Sequence, residues 1–245
     1  MNFFNYFFRS IPEKNNFILF GKTHMSILII AFIVSYLIIK NMKVNKNFEL
    51  LVGSVLLIQQ VSLYYWYYTS RYNLLTEGLP LYHCRVAILT LALGLIFKID
   101  LPLRIGTYWG IFGSIGALLL PGPDPFIFPH ITQVSYFVGH LFLLWGCIYL
   151  LFVKKIGMTK IDLKNIFLFT NLYHVIVFVL NHKISSNYAY LRQPPFKINY
   201  TFNPYFYGFI VMMIFNIILA LEYLFINKKA LLIQPLFLDL NHIYD

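Results

Sequence analysis

Charge is what this sequence has least of. Only 11% of its 245 residues are charged and nine are acidic, where a soluble domain carries about a quarter charged residues. So few charges cannot cover a water-facing surface, and an ordinary soluble globular domain is excluded. Cysteine is nearly absent too. Cys84 and Cys147 are the two in the chain, far apart in sequence, which excludes a disulfide framework. The first residues, Met1-Asn-Phe-Phe-Asn-Tyr6, lack the basic start and small-residue cleavage site of a secretory signal, so no cleaved signal peptide is expected. The histidines lack metal-ligand spacing, and no glycine-rich phosphate loop precedes a helix outside the apolar runs. Neither a metal nor a cofactor is expected.

What the chain does have is hydrophobic length. Hydrophobic residues make up 59% of it and its mean hydropathy is +0.69. A helix needs about 20 apolar residues to cross the hydrocarbon layer. Runs of that kind lie at 22–40, 48–67, 79–97, 101–120, 131–153, 164–182 and 204–226. They predict an all-α, polytopic integral membrane protein with about seven transmembrane helices, forming a single domain over residues 1–245. Two further apolar stretches, Phe3–Phe8 and Leu231–Leu240, are too short to span and are expected in the interface.

The net charge of +10 does not point to nucleic acid. The basic residues sit in short loops between apolar runs, not in a patch interleaved with stacking aromatics. Such charges act as topology determinants and anionic-lipid contacts, and membrane phospholipids are the expected partners. With seven spans, eleven Lys and Arg fall on one side (40–46, 98–104, 154–164, 228–229) and seven on the other (9–22, 71, 183–197). The positive-inside rule then places the C-terminus in the cytoplasm and the N-terminus outside, in a multi-pass cell-membrane protein.

On that orientation the outer loops hold the unusual sequence. Pro121–His130 contains four prolines, each fixing φ and removing a donor; this stiff, aromatic loop is either a roof over a pocket or a plain turn. The fourth span carries Gly106, Gly110, Gly113 and Gly116, a stripe expected to serve close helix packing. No internal repeat of the transporter kind is visible.

Polar residues in hydrocarbon are costly, so each needs a reason. Gln59, Gln60, Cys84, Arg85, His140, Asn171, His174 and Asn216 fall inside the runs. Asn171 and His174, three apart, share a helical face. Taken singly, these residues suit interhelical hydrogen bonds. Taken together, Gln59, Asn171, His174 and Asn216 suit a central ligand cavity of a transporter or receptor. Glu222 lies near the cytoplasmic end, where it can snorkel, and is given no function.

Leu79-Pro-Leu-Tyr-His-Cys-Arg85 stands out, with an imidazole, a thiol and a guanidinium in succession. A thiol attacks as thiolate, and apolar burial opposes that form, so a base or cation must offset it. Neighbouring residues point about 100° apart on a helix. A histidine from another helix, His140 or His130, is therefore a better partner for Cys84 than His83. On the residues alone, an inert small Cys84 is equally compatible.

Three stretches carry a family resemblance. They are Leu79–Arg85; Tyr108-Trp-Gly110 through Ala117–Pro121, Phe128-Pro-His130 and Phe137-Val-Gly-His140; and Ser186-Asn-Tyr-Ala-Tyr-Leu191. Together they resemble the YwaF-like family of bacterial membrane proteins and its animal relatives, the membrane ether-phospholipid acyltransferases. The resemblance implies a membrane-embedded lipid acyltransferase. In it Cys84 forms an acyl thioester, His140 or else His130 is the base, and Asn187 and Tyr188 bind the carbonyl or head group. Arg85 would pair with a lipid phosphate, with His83, Asn171 and His174 also at the substrate. The family places His two residues before the Cys, where this chain has Tyr82 and then His83. Beside this enzyme stand two other classes: the seven-helix transporter or receptor, and a non-catalytic membrane assembly protein.

Overall fold

The computed structural model describes residues 2–13, 17–195 and 203–238, with side chains described as far as Ile226. Lys14, Lys197, Lys228 and Lys229 of the charge tally lie outside the described residues or side chains, as do the side chains and end of the expected interfacial stretch Leu231–Leu240.

The described elements are helical, in the order α1 (Phe3–Phe7), α2 (Lys22–Asn41), α3 (Lys46–Ser70), α4 (His83–Phe97), α5 (Asp100–Leu119), α6 (Ile131–Ile148), α7 (Lys160–Lys183) and α8 (Pro204–Leu238). A π-helical turn (Tyr149–Val153) extends α6, and a 3-10 turn (Tyr188–Tyr190) lies between α7 and α8. Five helices are long and apolar enough to cross a membrane: Lys22–Asn41, Lys46–Ser70, Ile131–Val153, Lys160–Lys183 and Pro204–Ile226. The expectation of about seven spans is thus met by five on length and composition. The run at 79–97 starts its helix only at His83, because Leu79–Tyr82 is a bound loop, and leaves 15 residues. At about 1.5 Å per residue that is shorter than the hydrocarbon layer. Helix α5 begins with Asp100 and Arg104, joined as an ion pair, which interrupts its apolar run.

The core is layered around α4. Leu91 and Ala87 of α4 are fully buried, and Leu56, Leu143 and Cys147 pack into the same cluster from α3 and α6. Half of the glycine stripe explains the close approach. A Cβ on Gly106 would run into the backbone of Leu91, and one on Gly110 would meet Leu143 Cδ1 at 2.7 Å and Cys147 Sγ at 2.8 Å. Gly113 and Gly116 face open space, so the stripe serves packing only in its first half. The faces turned away from the core remain apolar and exposed, as at Phe32, Tyr68, Leu168 and Phe225, which is the surface lipid requires.

A second, smaller core lies at the other end of α3, where Trp66, Tyr67, Phe126 and Ile131 are buried. The N-terminal segment closes it. Trp66 Nε1 donates to the carbonyls of Phe8 and Arg9 at 3.2 and 3.1 Å. Arg9 pairs with Glu13 and donates to the carbonyls of Ile127 and Pro129. The proline-rich loop is therefore a tied cap over the bundle end and not a plain turn. Cys84 and Cys147 are both free.

Candidate functional site

Cys84 opens the first turn of α4 beside Arg85. The Arg85 guanidinium is folded inward. It donates to the carbonyls of Glu77 and Leu79 and to Tyr67 Oη at 2.9 Å, with its centre 5.0 Å from the Tyr67 ring and 5.2 Å from the Tyr82 ring. Tyr67 passes its own hydrogen to Asp124 Oδ2 at 2.8 Å. The chain Arg85–Tyr67–Asp124 thus fixes the proline-rich cap to the cysteine turn. Arg85 is not turned out toward the interface, because loop carbonyls satisfy it inside the protein. Burial raises the carboxyl pKa values of both Asp124 and Glu77 above their usual range. Glu77 accepts a hydrogen bond from Tyr82 at 2.5 Å.

Tyrosines crowd the cysteine turn. Tyr173 of α7 donates to the Leu81 carbonyl at 2.6 Å, and the Tyr190 ring lies 5.5 Å from that of Tyr82. Tyr136 meets the His140 ring one turn further along α6, centroid to centroid at 4.4 Å, and His140 in turn lies within range of Arg85. His140 Nδ1 is 2.7 Å from the Tyr136 carbonyl. A carbonyl only accepts, so in the neutral ring Nδ1 carries the hydrogen and Nε2 keeps a bare lone pair. That Nε2 is buried and has no partner among the described residues; nor have Tyr64 Oη and Gln60 Nε2. Buried polar atoms are normally hydrogen-bonded. Three buried polar atoms without a partner thus lie on α3 and α6, two of them on neighbouring turns of α3.

The other expected site residues sort differently. His83 points away from Cys84, as helical geometry requires, and its Nε2 meets His174 Nε2 at 2.7 Å. The pair is boxed by Trp109, Tyr173 and Phe215. His130 is a capping residue: its Nδ1 accepts from Thr132 N at the start of α6 and its Nε2 donates to the Arg9 carbonyl at 2.9 Å. It stacks on Phe126 at 3.9 Å, and burial lowers its pKa to about 4. Asn187 accepts from the backbone of Arg192 and Gln193, holding its own loop. Tyr188 Oη donates to the Leu75 carbonyl and accepts from Leu79 N, both at 3.0 Å, so it clasps the loop before Cys84. Asn181 is the hub of that clasp, bonding both backbone groups of Tyr188. Asn171 is exposed and pairs reciprocally with Asn216 across α7 and α8. Gln59 is bonded to Ser135. The four residues expected to line a central cavity are thus parcelled out to three separate contacts.

Sequence reasoning passed over Tyr64, Tyr67 and Tyr136, because tyrosine is common throughout this chain, and Asp124, because it lies in a loop. One signal was available: Gln60 with Tyr64 and Tyr136 with His140 are each four apart, on one helical face.

A family model matches residues 19–208, a span that contains Cys84, the proline-rich cap and the Tyr188 clasp. The chain belongs to the TMEM164 family. This corrects the YwaF-like assignment suggested by the short motifs: those motifs are weak singly, whereas the TMEM164 match runs continuously across most of the chain. Acyltransferase identity, which rested on that assignment, does not come with the match. Comparisons with curated proteins and with solved structures gave no match. The TMEM164 match by itself assigns no activity to the chain, and the chemistry rests on the site.

Proposed function

We propose that Cys84 performs cysteine-dependent acyl transfer between membrane lipids, assisted by buried groups of α3 and α6. The observation that carries this reading is the set of three buried atoms without partners among the described residues, His140 Nε2, Tyr64 Oη and Gln60 Nε2, together with a guanidinium fixed next to the thiol. They comprise one bare acceptor and two donors, the set that thiol acylation needs. His140 Nε2 takes the thiol proton as Cys84 Sγ attacks the ester carbonyl of a phospholipid. Tyr64 and Gln60 donate to the oxygen that becomes negative. The C–O bond breaks, the departing alkoxide takes the proton from His140, and the acyl group stays on sulfur. An acceptor lipid hydroxyl then gives its proton to His140 and attacks the thioester, the C–S bond breaks, and the departing thiolate takes that proton from His140. Arg85 acts as a fixed positive charge beside the thiolate, not as a phosphate clamp.

Seven crossings complete the proposal. Helices α4 and α5 join the five long spans, supported by the tight packing of Gly106 on Leu91, and the basic surplus sets the N-terminus outside and the C-terminus in the cytoplasm. Cys84 then faces the outer leaflet. The test uses purified protein with phospholipid labelled in its acyl chain and an unlabelled lysolipid. Wild type transfers label. Cys84→Ala does not, while retaining the wild-type melting profile. Transfer that survives Cys84→Ala sinks the reading.

A further inference from the structure

At the opposite end of the bundle lies a groove that the Cys84 chemistry does not use. Its volume is about 760 Å³, and α5, the π-helical turn after α6, and α8 line it. Phe112, Phe152, Leu221, Leu224 and Phe225 make it apolar, and these five are exposed to the lipid side. Two charged residues break the pattern. Glu222 lines the groove at 7% exposure, and neither carboxyl oxygen has a hydrogen-bond partner among the described residues. Lys155 lines the same groove from an exposed position, on a left-handed backbone turn with φ 56°. The sequence reading that let Glu222 snorkel to the interface is corrected here. The side chain stays buried between α8 and the groove.

A buried carboxylate without donors is among the costliest groups a protein can hold. Such a group keeps its proton until a ligand supplies donors and takes it, and here the open side of the groove faces lipid. The charge pattern names the supplier. An inner acid and an outer base are complementary to a zwitterion, and apolar walls suit acyl chains. A primary ammonium brings N–H donors to the two orphaned oxygens, whereas a quaternary ammonium brings none.

We propose that this groove is a binding site for a phospholipid with a primary-amine head group, its ammonium on Glu222 and its phosphate on Lys155. The head lies across the groove mouth, the amine turned inward and the phosphate at the rim, with one chain along Phe112 and Phe225. The site is separate from Cys84 and independent of its chemistry.

Two variants test it: Glu222→Gln, which keeps the shape and removes the charge, and Lys155→Ala. Each is reconstituted with a mixture of phosphatidylethanolamine and phosphatidylcholine, and bound lipid is counted by native mass spectrometry after mild delipidation. Wild type retains phosphatidylethanolamine at least tenfold over phosphatidylcholine. Glu222→Gln loses most of that preference, and Lys155→Ala weakens retention of both. Glu222→Gln replaces an unpaired buried carboxyl with an amide of the same shape and folds at least as well as wild type, so its melting temperature is the control. Equal retention of the two lipids by wild type, or an unchanged preference in Glu222→Gln, overturns the proposal.

Discussion

His83 and His174 meet nitrogen to nitrogen at 2.7 Å, from α4 and α7. One of the two must donate and the other accept. His174 Nδ1 is buried and has no partner among the described residues, so the arrangement that leaves no orphaned N–H there puts the shared hydrogen on His174 Nε2 and makes His83 the acceptor. The pair holds the cysteine turn against α7 from the side away from the thiol.

His174→Ala is therefore a structural change. It leaves His83 Nε2 unpaired and opens a cavity beside Trp109, at a cost of about 2–4 kcal/mol. Thermal unfolding in detergent should show that loss. Once stabilised by cooling, the variant should keep its acyl adduct on Cys84; loss of the adduct in the folded variant would instead assign His174 to the chemistry.

His140 is the opposite case. His140→Gln keeps a polar side chain at that position but removes the base, so acyl transfer should fall by about 10²–10⁴-fold with little change in melting temperature. Transfer at the wild-type rate would exclude the base role.

Asn171 and Asn216 bond each other across α7 and α8 and, among the described residues, otherwise only carbonyls of their own helices. A double-mutant cycle with alanine at each should give a coupling of about 0.6 kcal/mol, at most roughly 1.7. Neither change should alter acyl transfer. A strong effect on turnover would return Asn171 to the substrate site.

The His130 cap gives a pH dependence of known sign. Its pKa falls from 6.5 to about 4 on folding, through burial. The unfolded chain therefore takes up the proton first as pH drops. The cap's contribution is complete above pH 6.5, declines between pH 6.5 and about 4, and is flat below. Glu77 and Asp124, raised by burial, act in the opposite sense. The comparison is thus wild type against His130→Asn, which keeps an acceptor at the cap: the difference in melting temperature should shrink as pH falls through that window. A difference constant from pH 7.5 to 4 would show that His130 does not titrate this way.

The long apolar runs made the helices legible, since lipid leaves a spanning backbone few alternatives. The start of α4 was not legible, because Leu79–Tyr82 is apolar enough to join the run yet is held as a loop by Tyr188 and Arg85. Cys84 and His140 were legible as costly polar groups in hydrocarbon. Their setting was not, because Tyr64 and Tyr136 look like ordinary belt residues until α3 and α6 pack against α4. Asn171 and His174 share a face by spacing, yet one pairs outward with Asn216 and the other inward with His83. Spacing on one helix fixes a face but not the neighbour it meets. Glu222 was misread for the same reason, since nearness to a helix end does not reveal that α5 and the π turn bury it.

Intact-protein mass spectrometry after incubation with phospholipid, on wild type and Cys84→Ala, bears most directly on the central claim. The account predicts an adduct of one acyl chain on wild type, labile to hydroxylamine and absent from Cys84→Ala. An adduct that persists in Cys84→Ala, or wild-type protein that turns over lipid while never carrying a thioester even when the acceptor is withheld, would contradict it.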